Sequence, residues 1–438
     1  MKLIIQPTKK LSGFVNVPGD KSISHRVLIF GAIADGTTVA RNWLDAGVTA
    51  RMVDCIRALG IEVEVEPTGL GQATLSVHGQ GLSGLTPPQE PLYCGGSATT
   101  MRFLMGLLAT QPFTAVVDGH EGLRRRPMER IAKPLRQMGA TVETVDGHAP
   151  VTITGGRLAS INYELPVASA QLQTALLLAS LGAEGQIILR QPGPARDHTL
   201  RMLAGQGAQI GWDENGCITF NPEAGPLRPL DFTVPGDMSA AAFIMTAALT
   251  VPESEVTIHG VNTNSTRTGL LETLQAMGGP IEVKNEQSQA NEPVADLRLQ
   301  AAPLHGVEVG GEVVVRMIDE FPIFTLAALR AQGKTIVRDA AELRLKESDR
   351  IAVVVEEFSK LGANITPHPD GFEIDGPQQL VGTTVHSHRD HRLAMSLAVA
   401  GLSAEGVTIV EDAQELHESF PGFVETLREL GANIESKI

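Results

Sequence analysis

Cysteine is scarce: Cys55, Cys94 and Cys217 are the only three in 438 residues, and no two stand in a CxxC spacing. That excludes a disulfide framework and a structural zinc site, fits a reducing compartment, and leaves the three as small apolar side chains for burial. Aromatic residues make up 4% of the chain, so platforms for stacking bases are few. Positive charge is also short, with 35 Lys and Arg against 50 Asp and Glu and a net charge of −15. Nucleic acid and anionic membrane surfaces are therefore poor partners. No apolar run approaches the length of about 18 residues that spans a bilayer, and the start, Met1-Lys-Leu-Ile-Ile-Gln-Pro7, lacks the apolar core of a secretion signal. A cytoplasmic protein is expected, long enough for two domains with large cores.

What the chain has in quantity is repetition. The tripeptides Ala58-Leu-Gly60, Gln137-Met-Gly139, Gly205-Gln-Gly207, Ala276-Met-Gly278, Lys360-Leu-Gly362 and Glu429-Leu-Gly431 place glycines 79, 68, 71, 84 and 69 residues apart. A strand-like segment follows each, so each glycine reads as a left-handed residue ending a helix. Earlier in each unit a small, apolar run leads into a β-rich stretch: 27–39, 103–117, 172–189, 240–258, 323–337 and 393–410. Helices apolar on nearly every side are predicted to be buried. Six units of about 70 residues follow. The phrase Val17-Pro-Gly-Asp20 recurs at Val234-Pro-Gly-Asp237. These joints predict residues 1–19 plus 236–438 as one domain, 20–235 as the other, and hinges near 17–22 and 234–239.

Polar residues collect where the buried helices begin: Lys21, Ser22 and Arg26; Gly95 to Arg102; Ser169-Ala170-Gln171; Asp237 to Ser239; Asp319-Glu320; Asp390 to Arg392. Arg124 to Arg126, Arg196 and Lys346 to Arg350 add to them. Helix starts favour anions, and Arg and Lys suit phosphate and carboxylate. Each has a plainer reading. Asp20 or Ser22 is also an N-cap, Ser169 a cap, Arg124–Arg126 a solvated face, and 346–350 a capped first turn held by surface pairs. The histidines of 386–391 lack a second ligand cluster to suggest a metal, and no phosphate-binding loop or dinucleotide fingerprint is present.

Taken together, Pro18-Gly-Asp-Lys-Ser-Ile-Ser-His-Arg26, Thr99-Thr-Met-Arg102, Leu123-Arg-Arg-Arg-Pro-Met128, Val167-Ala-Ser-Ala-Gln171, Arg196-Asp-His-Thr199, Ile318-Asp-Glu320, Arg344-Leu-Lys-Glu-Ser-Asp-Arg350 and Asp390-His-Arg392 resemble, in order and along the whole chain, the EPSP synthase family. The resemblance implies a two-domain inside-out α/β barrel of six βαβαββ repeats, three per domain, with the active site in the interdomain cleft. It implies transfer of the enolpyruvyl group of phosphoenolpyruvate to the 5-hydroxyl of shikimate 3-phosphate, without metal or organic cofactor. By matching position, Lys21, Ser22, Arg26, Ser169, Ala170, Gln171, Arg196, Asp319 and Lys346 would hold shikimate 3-phosphate. Lys21, Gly96, Arg126, Gln171, Arg350 and Arg392 would hold phosphoenolpyruvate, with Asp319, Glu347 and Lys21 as proton-transfer candidates. With no coiled coil or spare apolar stripe, a monomer is expected.

Some positions depart from the family pattern. Gly96 stands where an Asn is common, offering only its backbone amide, and Ala98 adds a methyl where Gly is common, predicting relative insensitivity to the inhibitor glyphosate. Ala195, Val48 and Glu418 also differ from common family residues. Two competing readings are enolpyruvyl transfer to UDP-N-acetylglucosamine and a non-catalytic binder of phosphorylated metabolites. The first usually carries a loop cysteine, absent from 119–125 here; the second gains nothing from carboxylates beside an anion.

Overall fold

The six apolar runs form the helices Lys21–Ala32, Ala98–Leu108, Ala170–Ser180, Met238–Thr250, Phe321–Arg330 and His391–Leu402 in a computed structural model, which describes residues 1–222 and 225–437. They are buried all round. Every residue of Met238–Thr250 and His391–Leu402 is withdrawn from solvent. Burying whole helices rather than one stripe is what small and aliphatic side chains on every face require.

The chain divides into two compact units: Met1–Pro18 with Pro235–Ser288 and Pro293–Ile438, and Gly19–Val234 with Gln289–Glu292. Each has its own core. In the first, the helices from Met238, Phe321 and His391 pack on one another; in the second, the helix from Ala98 packs against those from Lys21 and Ala170.

Among the described residues there are six four-stranded sheets with one pattern, in which a first strand runs parallel to a second and an antiparallel hairpin completes the sheet. The sheet of Leu92–Tyr93, Thr114–Asp118, Thr141–Val145 and His148–Thr154 shows it within one continuous stretch. At the joints the pattern is completed from a distance. Lys2–Ile5 pairs with both Thr408–Glu411 and Ile434–Lys437, Ser12–Asn16 runs parallel to Glu255–Asn262, and Asp231–Thr233 runs parallel to Asp35–Leu44. The last strand of a unit thus closes onto a sheet begun at the other end of its sequence, leaving no unpaired terminal repeat.

The six repeated glycines behave alike. Gly60, Gly139, Gly207, Gly278, Gly362 and Gly431 have φ of 88, 110, 90, 91, 91 and 99°. All are left-handed, as a helix stop requires. Both Val-Pro-Gly-Asp copies end in an N-cap: Asp20 accepts from Ile23 N at 2.9 Å and Asp237 from Ser239 N at 2.7 Å. Cys55 and Cys94 are buried, whereas Cys217 is only half-buried because it lies in a strand beside a turn. No helix among the described residues is long and apolar enough to cross a membrane.

Candidate active site

In the second unit, Lys21 and Ser22 form the first turn of a helix already capped by Asp20, so the cap is not a task left to Ser22. Both are half-buried. Arg26, one turn on, is 2% exposed. Its guanidinium donates to Thr199 Oγ1 (2.7 Å), Thr174 Oγ1 (2.9 Å) and the Ser22 carbonyl (2.9 Å), and it lies 5.0 Å from the centre of the Phe103 ring. This ties the first turn to the helices from Ala170 and His198. His25 is wholly buried; its Nδ1 meets the Lys21 carbonyl at 2.7 Å and its Nε2 lies 3.4 Å from Ser97 Oγ. Burial, helped by the charges of Lys21 and Arg26, lowers its pKa to about 4, so it is neutral near pH 7.

Ser97 caps the helix from Ala98, taking Thr100 N at 3.2 Å, and Ala98 is buried in the first turn. Ser169 likewise caps the next helix, taking Leu172 N at 3.4 Å, with Ala170 and Gln171 half-buried after it. Gln171 spans two partners: its Nε2 donates to Thr99 Oγ1 at 2.9 Å and its Oε1 accepts from Arg102. Arg196 is half-buried just before the helix from His198.

The run Arg124–Arg126 divides. Arg124 pairs with Asp118 and Arg125 with Glu121 at 2.8 Å, both largely exposed. Arg126 is half-buried and faces inward electrically: Arg102 feels both it and Arg130. Burial first, then the Arg130 and Arg126 charges, push Arg102 down to about 9. The acceptors facing Arg102 are the Gln171 side chain and the Pro127 carbonyl (3.3 Å), both neutral. Burial beside the charges of Arg130 and Arg126 makes Arg102 a group whose cation an anion would favour. Neither Arg102, which stands in Thr99-Thr-Met-Arg102, nor Arg130 is among the site residues expected from sequence. Nothing local marks either; what would have pointed to them is the like-charge cluster, which exists only once the helices from Ala98 and Glu129 meet.

The first unit carries the opposite arrangement. Arg350 is 1% exposed and is met by three carboxylates: Asp390 (2.8 Å), Glu347 (2.8 Å) and Asp319 (3.5 Å). Burial alone would lower its pKa, but Asp390, Glu347 and Asp319 overcome this and hold it above the ordinary arginine range. Asp390, which burial would raise, is held below the usual carboxylate range by Arg350 and His391. Arg392 sits between Asp319 (3.7 Å) and the buried Glu320 (3.8 Å). Lys346 reaches Glu342 at 3.3 Å, and Asp349 caps the helix from Arg350 through Ala352 N at 3.0 Å. The capped-turn reading of 346–350 is therefore correct as local structure, and the same turn delivers Glu347 and Arg350 to the network.

One further buried group holds this network in place. Glu357, on the helix that begins at Arg350, accepts from His386 N (2.9 Å), His388 Nε2 (2.5 Å) and Lys360 Nζ (2.7 Å). His388 and Arg389 have φ of 51 and 59°, and these contacts hold that turn just ahead of Asp390 and Arg392.

The sequence matches the EPSP synthase (3-phosphoshikimate 1-carboxyvinyltransferase) family over residues 5–427. This chain belongs to the EPSP synthase family. It is 47% identical to 3-phosphoshikimate 1-carboxyvinyltransferase of Halorhodospira halophila over 98% of the chain and 96% of that protein. It is 45% identical to the Desulforamulus reducens protein of the same name over 98% and 99%. Among solved structures, EPSP synthase from Acinetobacter baumannii superposes with a TM-score of 0.91 at 40% identity, covering all of both chains. A family member with this match has the mixed α/β repeat architecture described above.

Proposed function

We propose that the protein transfers the enolpyruvyl group of phosphoenolpyruvate to the 5-hydroxyl of shikimate 3-phosphate, releasing phosphate, as the names of its relatives suggest. The observation that carries the reading is the division of charge: a gathering of Arg102, Arg126 and Arg130 in one unit, and carboxylates locked around Arg350 and Arg392 in the other. The cations answer to two substrates that bring several negative charges each. The carboxylates answer to proton transfer.

In this reading Lys21, Ser22, Arg26, Ser169, Ala170, Gln171, Arg196, Asp319 and Lys346 serve shikimate 3-phosphate, with Arg26 acting through the turn it braces. Lys21, Gly96, Arg126, Gln171, Arg350 and Arg392 serve phosphoenolpyruvate. The reaction needs a base for the 5-hydroxyl proton and an acid that protonates the methylene carbon. The oxygen then bonds to C2, and the C2–O bond to phosphate breaks as the added proton, or its equivalent, leaves. Asp319, Glu347 and Lys21 are the groups for these transfers. Arg350, between Asp319 and Glu347, stabilises the ionised carboxylates and thus keeps a base at hand. The reading requires both sets to act on one substrate pair. A monomeric, cytoplasmic enzyme is part of the proposal. Phosphate release that needs both compounds together tests it; no release from the pair would discard it.

A further inference from the structure

The loop that delivers Arg126 also carries His120. His120 is the N-cap of the short helix Glu121–Arg124: its Nδ1 accepts from Leu123 N at 3.1 Å. Its backbone N–H donates to the Gly95 carbonyl at 2.9 Å, and Cys94 N donates to the Asp118 carbonyl at 2.7 Å, so the 94–96 and 118–120 segments are laced together. The ring itself lies between two glycines. A Cβ on Gly96 would fall 2.5 Å from His120 Nε2, and one on Gly122 would fall 2.9 Å from His120 Cε1. No real side chain approaches so closely. The imidazole thus fills the volume that a side chain at 96 would take.

The cap fixes the tautomer. With Nδ1 accepting from Leu123 N, the proton of the neutral ring is on Nε2, and Nε2 is the atom turned to Gly96. Protonation would leave that N–H in place. The same loop carries the Asp118–Arg124 pair, the exposed Glu121–Arg125 pair and Arg126. Just beyond Gly96, Ser97 caps the helix from Ala98.

We infer that His120 is a specificity-determining residue of the phosphoenolpyruvate site, its Nε2–H supplying an anion donor beside the Gly96 amide in place of a residue-96 side chain. This rests on the proposed function. The ligand class is the carboxylate or phosphate of phosphoenolpyruvate, and shikimate 3-phosphate recognition does not depend on it. Residues 96 and 120 are accordingly one unit: a donor can come from either, and with the ring in this rotamer the two cannot share the space.

The test is steady-state kinetics with both substrates varied, for wild type, His120→Ala, Gly96→Asn and the double variant Gly96→Asn/His120→Ala. Wild-type turnover comes first, and its absence would sink the proposed function rather than this inference. Given turnover, loss of a donor to an anion is expected to raise KM for phosphoenolpyruvate in His120→Ala by about tenfold or more, with KM for shikimate 3-phosphate little changed. Gly96→Asn alone, forced against the ring, is expected to lose at least as much, and the double variant to recover most of the loss. Thermal melts check that each variant folds. A wild-type KM for phosphoenolpyruvate in His120→Ala would overturn the inference, as would a double variant no better than the worse single one.

Discussion

At the scale of single residues, two side chains make opposite electrostatic demands on the fold. Arg102 stays charged in a buried place among other arginines, whereas His25 is held neutral by burial. The histidine gives a pH prediction. Its folded pKa, about 4, lies below the ordinary value of 6.5, so its contribution is intact above pH 6.5 and is lost as pH falls towards 4, where the unfolded chain binds the proton first. Between pH 7 and 5 this amounts to about 2 kcal/mol. Urea unfolding of wild type and His25→Gln at both pH values should show the wild type losing that much more; equal losses would refute the assignment. Ala98 offers a second test. Its methyl is buried at the head of a helix beside the Ser97 cap. The family resemblance puts that spot next to the inhibitor, so Ala98→Gly should be inhibited by glyphosate at lower concentration than wild type. Unchanged inhibition would remove the idea.

Elements tell which parts of the structure a sequence can announce. The six helix-ending glycines and the two capping aspartates were legible because each is a local requirement: a left-handed φ needs no Cβ, and an N-terminal turn needs an acceptor. Gly139 isolates the first effect. A Cβ there would meet only the Arg157 carbonyl, at 3.6 Å, so Gly139→Ala should cost about 1 kcal/mol through φ alone. Denaturant melts check it; a neutral change would mean that the helix end shifts freely. Arg102, Arg130, Glu357 and His120 were not legible, since each has its meaning from a neighbour on another element. Arg102 is an ordinary helix residue until Arg126 and Arg130 come beside it. His120 is an ordinary cap until Gly96 leaves it room. The run 124–126 shows the same limit: three like residues in sequence, two of them spent on surface pairs and one turned to the cluster.

Across the whole molecule, repetition supplies the scaffold and the exceptions to it supply chemistry. Each unit offers three buried helices, but their heads are charged differently: lysine and arginines in one, carboxylates with two arginines in the other. Gathering Arg102 with Arg126 and Arg130 in a buried place is costly, and substrates with several negative charges are what would offset that cost. That is the central claim, and turnover tests it most directly. Phosphate released from phosphoenolpyruvate with and without shikimate 3-phosphate should appear only when both are present, and Lys21→Ala, which removes a cation shared by both substrates in the proposal, should lose nearly all of it while melting near the wild-type temperature. Release that ignores shikimate 3-phosphate, or a folded Lys21→Ala with wild-type turnover, would contradict the account.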